Sequence, residues 1–139
     1  MAREIMVRSG VTIRKSSVAL DYSSRPSTFN ATLEATSPKG PTPGNILVTT
    51  AGTDIDLSEL VTMGGICVIQ NRDPTNFVTV GIWDGAAFFP IDDILPGEVY
   101  VRRLSRYILT SMVGTATTQG LRIVANTASC IVTVEAWDR

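Results

Sequence analysis

Short apolar runs and alternating stretches fill the chain, and turn-forming residues interrupt them about every eight to twelve positions, the spacing of an all-β sandwich or barrel. Phe29-Asn30-Ala31-Thr32-Leu33-Glu34-Ala35 alternates cleanly and places Phe29, Ala31, Leu33 and Ala35 on one face. Ile46-Leu47-Val48-Thr49 reads as a strand, and Asp54-Ile55-Asp56-Leu57 alternates again. Ile66-Cys67-Val68-Ile69 is a short continuous apolar run, as expected of a strand buried on both faces. Phe77-Val78-Thr79-Val80, Ala87-Phe88-Phe89-Pro90-Ile91, Val99-Tyr100-Val101, Tyr107-Ile108-Leu109, Leu121-Arg122-Ile123-Val124 and Ile131-Val132-Thr133-Val134 complete the set. Val11-Thr12-Ile13 and Val18-Ala19-Leu20 are weaker candidates near the N-terminus. No window sustains helical periodicity with caps. About nine or ten strands are therefore predicted, enough for two packed sheets.

The punctuation divides the chain. Segment 37–45, SPKGPTPGN, holds three prolines and two glycines, which predicts a loop or linker and not a strand. An extended arm with its Pro/Gly-rich joint is expected over residues 1–44, followed by the sandwich over 45–139. Arg72-Asp73-Pro74-Thr75-Asn76 has the composition of a turn, and Asp84-Gly85 is the dipeptide of a two-residue type I′ hairpin. Gly114-Thr115-Ala116-Thr117-Thr118-Gln119-Gly120 reads as a hydrophilic loop.

Composition sharpens the picture in one respect. Charged residues make up 18% of the 139, against roughly a quarter in ordinary globular domains, so part of the surface is expected to be covered by a partner. The net charge of −1 supplies no field to attract nucleic acid. Residues 1–25 nevertheless carry five basic side chains (Arg3, Arg8, Arg14, Lys15, Arg25) against Glu4 and Asp21, a surplus of +3 that leaves −4 for the rest. Such a split suits an arm of one copy meeting the body of another. No apolar run approaches the length of a membrane span, and no leader pattern opens the chain, so neither membrane insertion nor secretion is expected.

Candidate chemistry is sparse. The chain has no histidine, which removes the commonest general base and metal ligand. Cys67 and Cys130 sit in apolar runs and are read as buried hydrophobes; pairing between them would require neighbouring strands. Asp54 with Asp56, and Asp92 with Asp93, could supply calcium ligands or a glycosidase pair, but no ligand-dense loop or aromatic cleft accompanies them. Solvated turn carboxylates are the simpler reading. Neither an enzyme, a cofactor nor a metal is expected. Arg102-Arg103 and Arg106 form the densest basic cluster, beside Tyr100 and Tyr107, but alternation sends the adjacent pair to opposite faces. Trp83, Phe88 and Phe89 surround the Asp84-Gly85 turn, and two adjacent Phe cannot share one strand face.

Asn71-Arg72-Asp73-Pro74-Thr75-Asn76-Phe77-Val78-Thr79-Val80-Gly81, followed by Leu95-Pro96-Gly97-Glu98, resembles a hairpin-and-turn pattern of small virion proteins of tailed bacteriophages. Thr50-Ala51-Gly52-Thr53-Asp54-Ile55-Asp56-Leu57 is similar to the strand that precedes it in those proteins, so the resemblance spans about residues 45–136. It implies an all-β, jelly-roll-like antiparallel sandwich of about eight to ten strands with an extended N-terminal arm. It also implies a structural role in the virion, foremost as a capsid decoration (cement) protein, with tail, neck or fibre-associated members as the alternative. The expected partners are the major capsid protein and copies of the chain itself, a trimer foremost. Candidate interface residues are Arg3, Arg8, Val11, Ile13, Arg14, Trp83, Phe88, Phe89, Arg102 and Arg106. A non-catalytic carbohydrate-binding module is the remaining alternative, with Trp83 and Tyr100 or Tyr107 as its platform.

Overall fold

A computed structural model describes residues 5–9, 27–31, 40–106 and 120–139. Two compact units, Met1–Leu33 and Glu34–Arg139, divide the chain. In the first, β1 (Ile5–Ser9) and β2 (Ser27–Ala31) pair antiparallel, with Ile5 opposite Ala31 and Ser9 opposite Ser27. An arm expected to be extended thus contains a two-stranded sheet. The candidate strands at 11–13, 18–20 and 107–109 and the loop expected at 114–120, apart from Gly120, lie outside the described residues.

The second unit holds eight strands: β3 (Thr42–Val48), β4 (Thr53–Asp54), β5 (Ile66–Asn71), β6 (Val78–Trp83), β7 (Phe88–Ile94), β8 (Val99–Arg103), β9 (Gly120–Ala125) and β10 (Cys130–Ala136). One sheet runs β3-β10-β5-β8 and the other β4-β9-β6-β7, every pairing antiparallel. Consecutive strands mostly alternate between the sheets, so the order is that of two interlocked Greek keys. The unit is a jelly-roll β-sandwich.

Period two builds its core. Cys67 and Ile69 of β5 and Cys130, Val132, Val134 and Ala136 of β10 turn inward from one sheet. Val78 and Val80 of β6, Ile94 of β7 and Leu121, Ile123 and Ala125 of β9 turn inward from the other. Ile55, Leu57, Leu60 and Met63, from the connection after β4, join the same cluster. Each fully buried Val, Ile or Leu stabilises the fold by about 1.5–3 kcal/mol. The two thiols are free and buried; although β5 and β10 are neighbours, Cys67 lies opposite Ala136 and Cys130 opposite Val48, at different ends of the sheet.

Three local expectations are corrected. Residues 42–45, predicted as linker, are strand: β3 lies at the edge of its sheet, where the missing N–H of Pro43 is tolerated. Asp84-Gly85 does not form a type I′ turn. That turn needs positive φ at both central residues, and only Gly85 has it (φ +100°). Strand pairing stops at Trp83 and Phe88, so the loop is the four residues Asp84–Ala87, tied by the Asp84 carboxylate accepting from the amides of Ala86 (2.8 Å) and Ala87 (2.7 Å). Finally, Asp92 and Asp93 lie within β7 and not in a loop.

Candidate assembly interface

The segment that carries the virion resemblance is a structural knot. Asn71, fully buried at the end of β5, donates through Nδ2 to the carbonyls of Asn76 (2.8 Å) and Ile94 (3.1 Å) and accepts the Asp73 amide at 3.0 Å. Its own amide donates to Glu98 O, and its carbonyl accepts from Gly97. Asp73 caps the turn by accepting from the amides of Thr75 and Asn76, and these bonds hold its carboxyl below the ordinary carboxylate range. Glu98 closes the second turn by accepting the Leu95 amide at 2.8 Å. The two motif pieces meet in space through Asn71. Their residues form turns and present no reactive group.

The predicted interface residues do not form one site. Arg3, Val11, Ile13 and Arg14 lie outside the described residues, and Arg8 falls in β1, where only the backbone is described. Trp83 and Phe88 face each other across β6 and β7 on the outside of their sheet, and the Phe88 ring fills the space that a side chain at Gly81 would need. The Arg122 guanidinium covers Trp83 at 3.8 Å from the ring and is fixed by Asp54 through bonds of 2.6 and 3.0 Å. One face of the supposed sugar platform is thus occupied by the protein itself. Phe89 points the other way and is 53% exposed. Arg106 packs its side chain against Gly64.

Arg102 belongs to a different constellation. β7 and β8 are edge strands of opposite sheets, and Asp92 of β7 accepts from Tyr100 Oη (2.9 Å) and from Arg102 (3.3 Å) of β8, bridging the two sheets. Burial, and after it the bond to Asp92, raises the Tyr100 pKa above its ordinary value. The Arg102–Asp92 pair is largely solvated and contributes no more than about 1 kcal/mol. Arg103, as alternation required, turns to the other face and donates to Gly64 O. Beside this bridge an apolar cleft of about 470 Å³ opens between the sheets, lined by Ile69, Ile82, Ile91, Tyr100, Leu104 and Leu121 among others.

Large exposed hydrophobic side chains concentrate here. Among the described residues, Phe89, Ile91, Leu95, Val99 and Val101 lie along β7, β8 and the turn joining them, whereas only Leu47, Val61 and Ile131 lie elsewhere. Of these five, only Phe89 was foreseen. Val99-Tyr100-Val101 is apolar throughout, so its pattern does not reveal which face meets water. No cluster of three metal-ligating side chains occurs among the described residues, and burial pushes the Cys67 thiol up to about 12. No described helix is long and apolar enough to cross a membrane.

Comparison with known proteins finds no match to the chain among family models, curated proteins or solved structures. The virion resemblance therefore rests on the quoted turn residues.

Proposed function

We propose that this chain is a structural protein of a bacteriophage virion, a capsid decoration protein that binds the head shell and stabilises it through contacts with the major capsid protein and with other copies of itself. The observation that carries this reading is the concentration of large exposed apolar side chains on β7, β8 and the turn between them. Large exposed apolar side chains gathered on neighbouring elements support a role in protein contact, and the chain has no histidine to place beside them. The jelly roll supports the reading by analogy, since the fold recurs in capsid proteins as well as in lectins and cupins. So does the charge split: the unit 1–33 carries +3 and the unit 34–139 carries −4, a basis for attraction between the arm of one copy and the body of another.

The test is attachment to shells. Purified protein added to undecorated heads is expected to co-sediment with them and to raise the temperature at which they disrupt. Removal of residues 1–33 is expected to weaken attachment at least about tenfold while leaving the thermal midpoint of the sandwich in place. Density at the neck or tail in particle images would transfer the protein to that alternative location, and failure to associate with any particle would overturn the reading.

A further inference from the structure

We propose that β8 is a docking edge for a second copy of this chain, whose own β8 pairs antiparallel with it about a two-fold axis and joins two four-stranded sheets into one of eight strands. This inference does not depend on attachment to a shell.

A free strand edge invites pairing, and proteins blunt edges they do not use. The sandwich has four. β4 is only two residues long, and β3 carries Pro43 and Gly44. β7 contains Pro90, a register shift opposite Val80/Gly81, and the adjacent acids Asp92 and Asp93. β8 has the fewest of these devices: Val99–Arg103 holds no proline or glycine and pairs with β5 without a register shift, it exposes Val99 and Val101, and its only charges, Arg102 and Arg103, sit together at one end.

Hydrogen bonding shows which groups are on offer. The Leu104 amide donates to Gly65 O (2.9 Å), and Glu98 O accepts from Asn71 (3.0 Å), so the even-numbered residues turn toward β5. Alternation then points the N–H and C=O of Val99, Val101 and Arg103 away from β5, and no described strand lies on that side.

The edge can pair with itself in a register centred on Val101. Centring the two-fold on Val101 sets Val101 opposite its equivalent, Val99 opposite Arg103 of the second copy, and Tyr100 opposite its Arg102. Roughly six backbone hydrogen bonds form and no like charges face each other. Arg102 already lies 5.1 Å from the Tyr100 ring within one chain, so the same attraction is available between copies. Centring on Arg103 would instead oppose two guanidinium groups, and centring on Val99 would run Gly97 into the pairing. A five-residue edge buries little on its own, but the apolar cleft and Ile91 lie at the same margin and would be covered with it. A two-fold pair, in place of the trimer that the virion resemblance implies, is the unit this edge builds.

Val101→Cys in the full chain tests it. Hydrogen-bonded residues opposite each other lie about 5.5 Å apart between Cα atoms, within disulfide reach. Oxidation is expected to cross-link V101C into a two-chain species. The wild type, whose thiols are buried, and Val68→Cys on the neighbouring strand are expected to stay uncrosslinked. Sedimentation equilibrium of the wild type is expected to give two-chain mass, and Val101→Arg to weaken the association at least about tenfold. A wild type of one-chain or three-chain mass overturns the proposal, as does a two-chain wild type whose V101C variant does not cross-link. Should V101R fail to fold, mass and cross-linking decide between them. A protein that pairs this way but ignores shells would overturn the proposed function and leave this inference standing.

Discussion

At the scale of single residues, Asn71 best shows how a polar side chain in a β core becomes a structural element. Fully buried, it uses one acceptor and two donor hydrogens to hold the Asp73 amide and the carbonyls of Asn76 and Ile94. Truncation would leave those three groups without partners. Asn71→Ala is therefore expected to destabilise the sandwich by about 3 kcal/mol, since each buried polar group left unsatisfied costs on the order of 1–3 kcal/mol and partial hydration recovers some of that. Asn71→Asp should be at least as damaging, because a carboxylate cannot donate to two carbonyls. Thermal or urea unfolding of the variants measures both. Arg122 illustrates a contact the sequence hid: stacked on Trp83 and held by Asp54, it lies 68 positions from its carboxylate partner.

Among the elements, three of the chain's acids serve turns. Asp73 and Asp84 each accept two backbone amides in the loops flanking β6, and Asp56 accepts the amide and hydroxyl of Ser58. Hydrogen bonding lowers the pKa of all three. A carboxyl whose folded pKa lies below its unfolded one contributes stability that is complete well above the unfolded value, about 3.9, and is lost as pH falls through the folded value. The thermal midpoint is thus expected to hold at neutral pH and to fall below about pH 4.5, with Asp73→Asn flattening that decline. A midpoint unchanged between pH 5 and pH 3 would contradict the capping role. The edge elements were less legible. The proline and glycine of 42–45 predict a break on their own, and only the position of β3 at a sheet margin makes them admissible as strand.

At the scale of the whole molecule, the second unit is held by two inner faces whose residues come from both its halves. Cys67 reports on that packing. Its thiol is buried, and burial raises its pKa to about 12, so at pH 8 it is expected to resist alkylation in the folded state. Because the folded pKa exceeds the unfolded one, this residue's contribution is intact below the unfolded thiol value and lost as pH rises toward 12. Labelling at pH 8 should therefore track global unfolding in denaturant; rapid labelling without denaturant would show that the sheets separate near β5. On the same scale lies the concentration of exposed apolar side chains on β7, β8 and their connecting turn, two strands at the margins of opposite sheets.

Period-two patterning and turn chemistry are local, so the sequence by itself determined the all-β class, the approximate strand count and the burial of both thiols. Its lack of histidine likewise excludes imidazole chemistry without any coordinates. Tertiary structure alone decided which turns lock together, which face of the apolar run Val99–Val101 meets water, and which strands lie at the sheet margins. Those outcomes depend on sheet order, which brings Asn71 to Glu98 and Asp54 to Arg122 across separations that no local pattern spans.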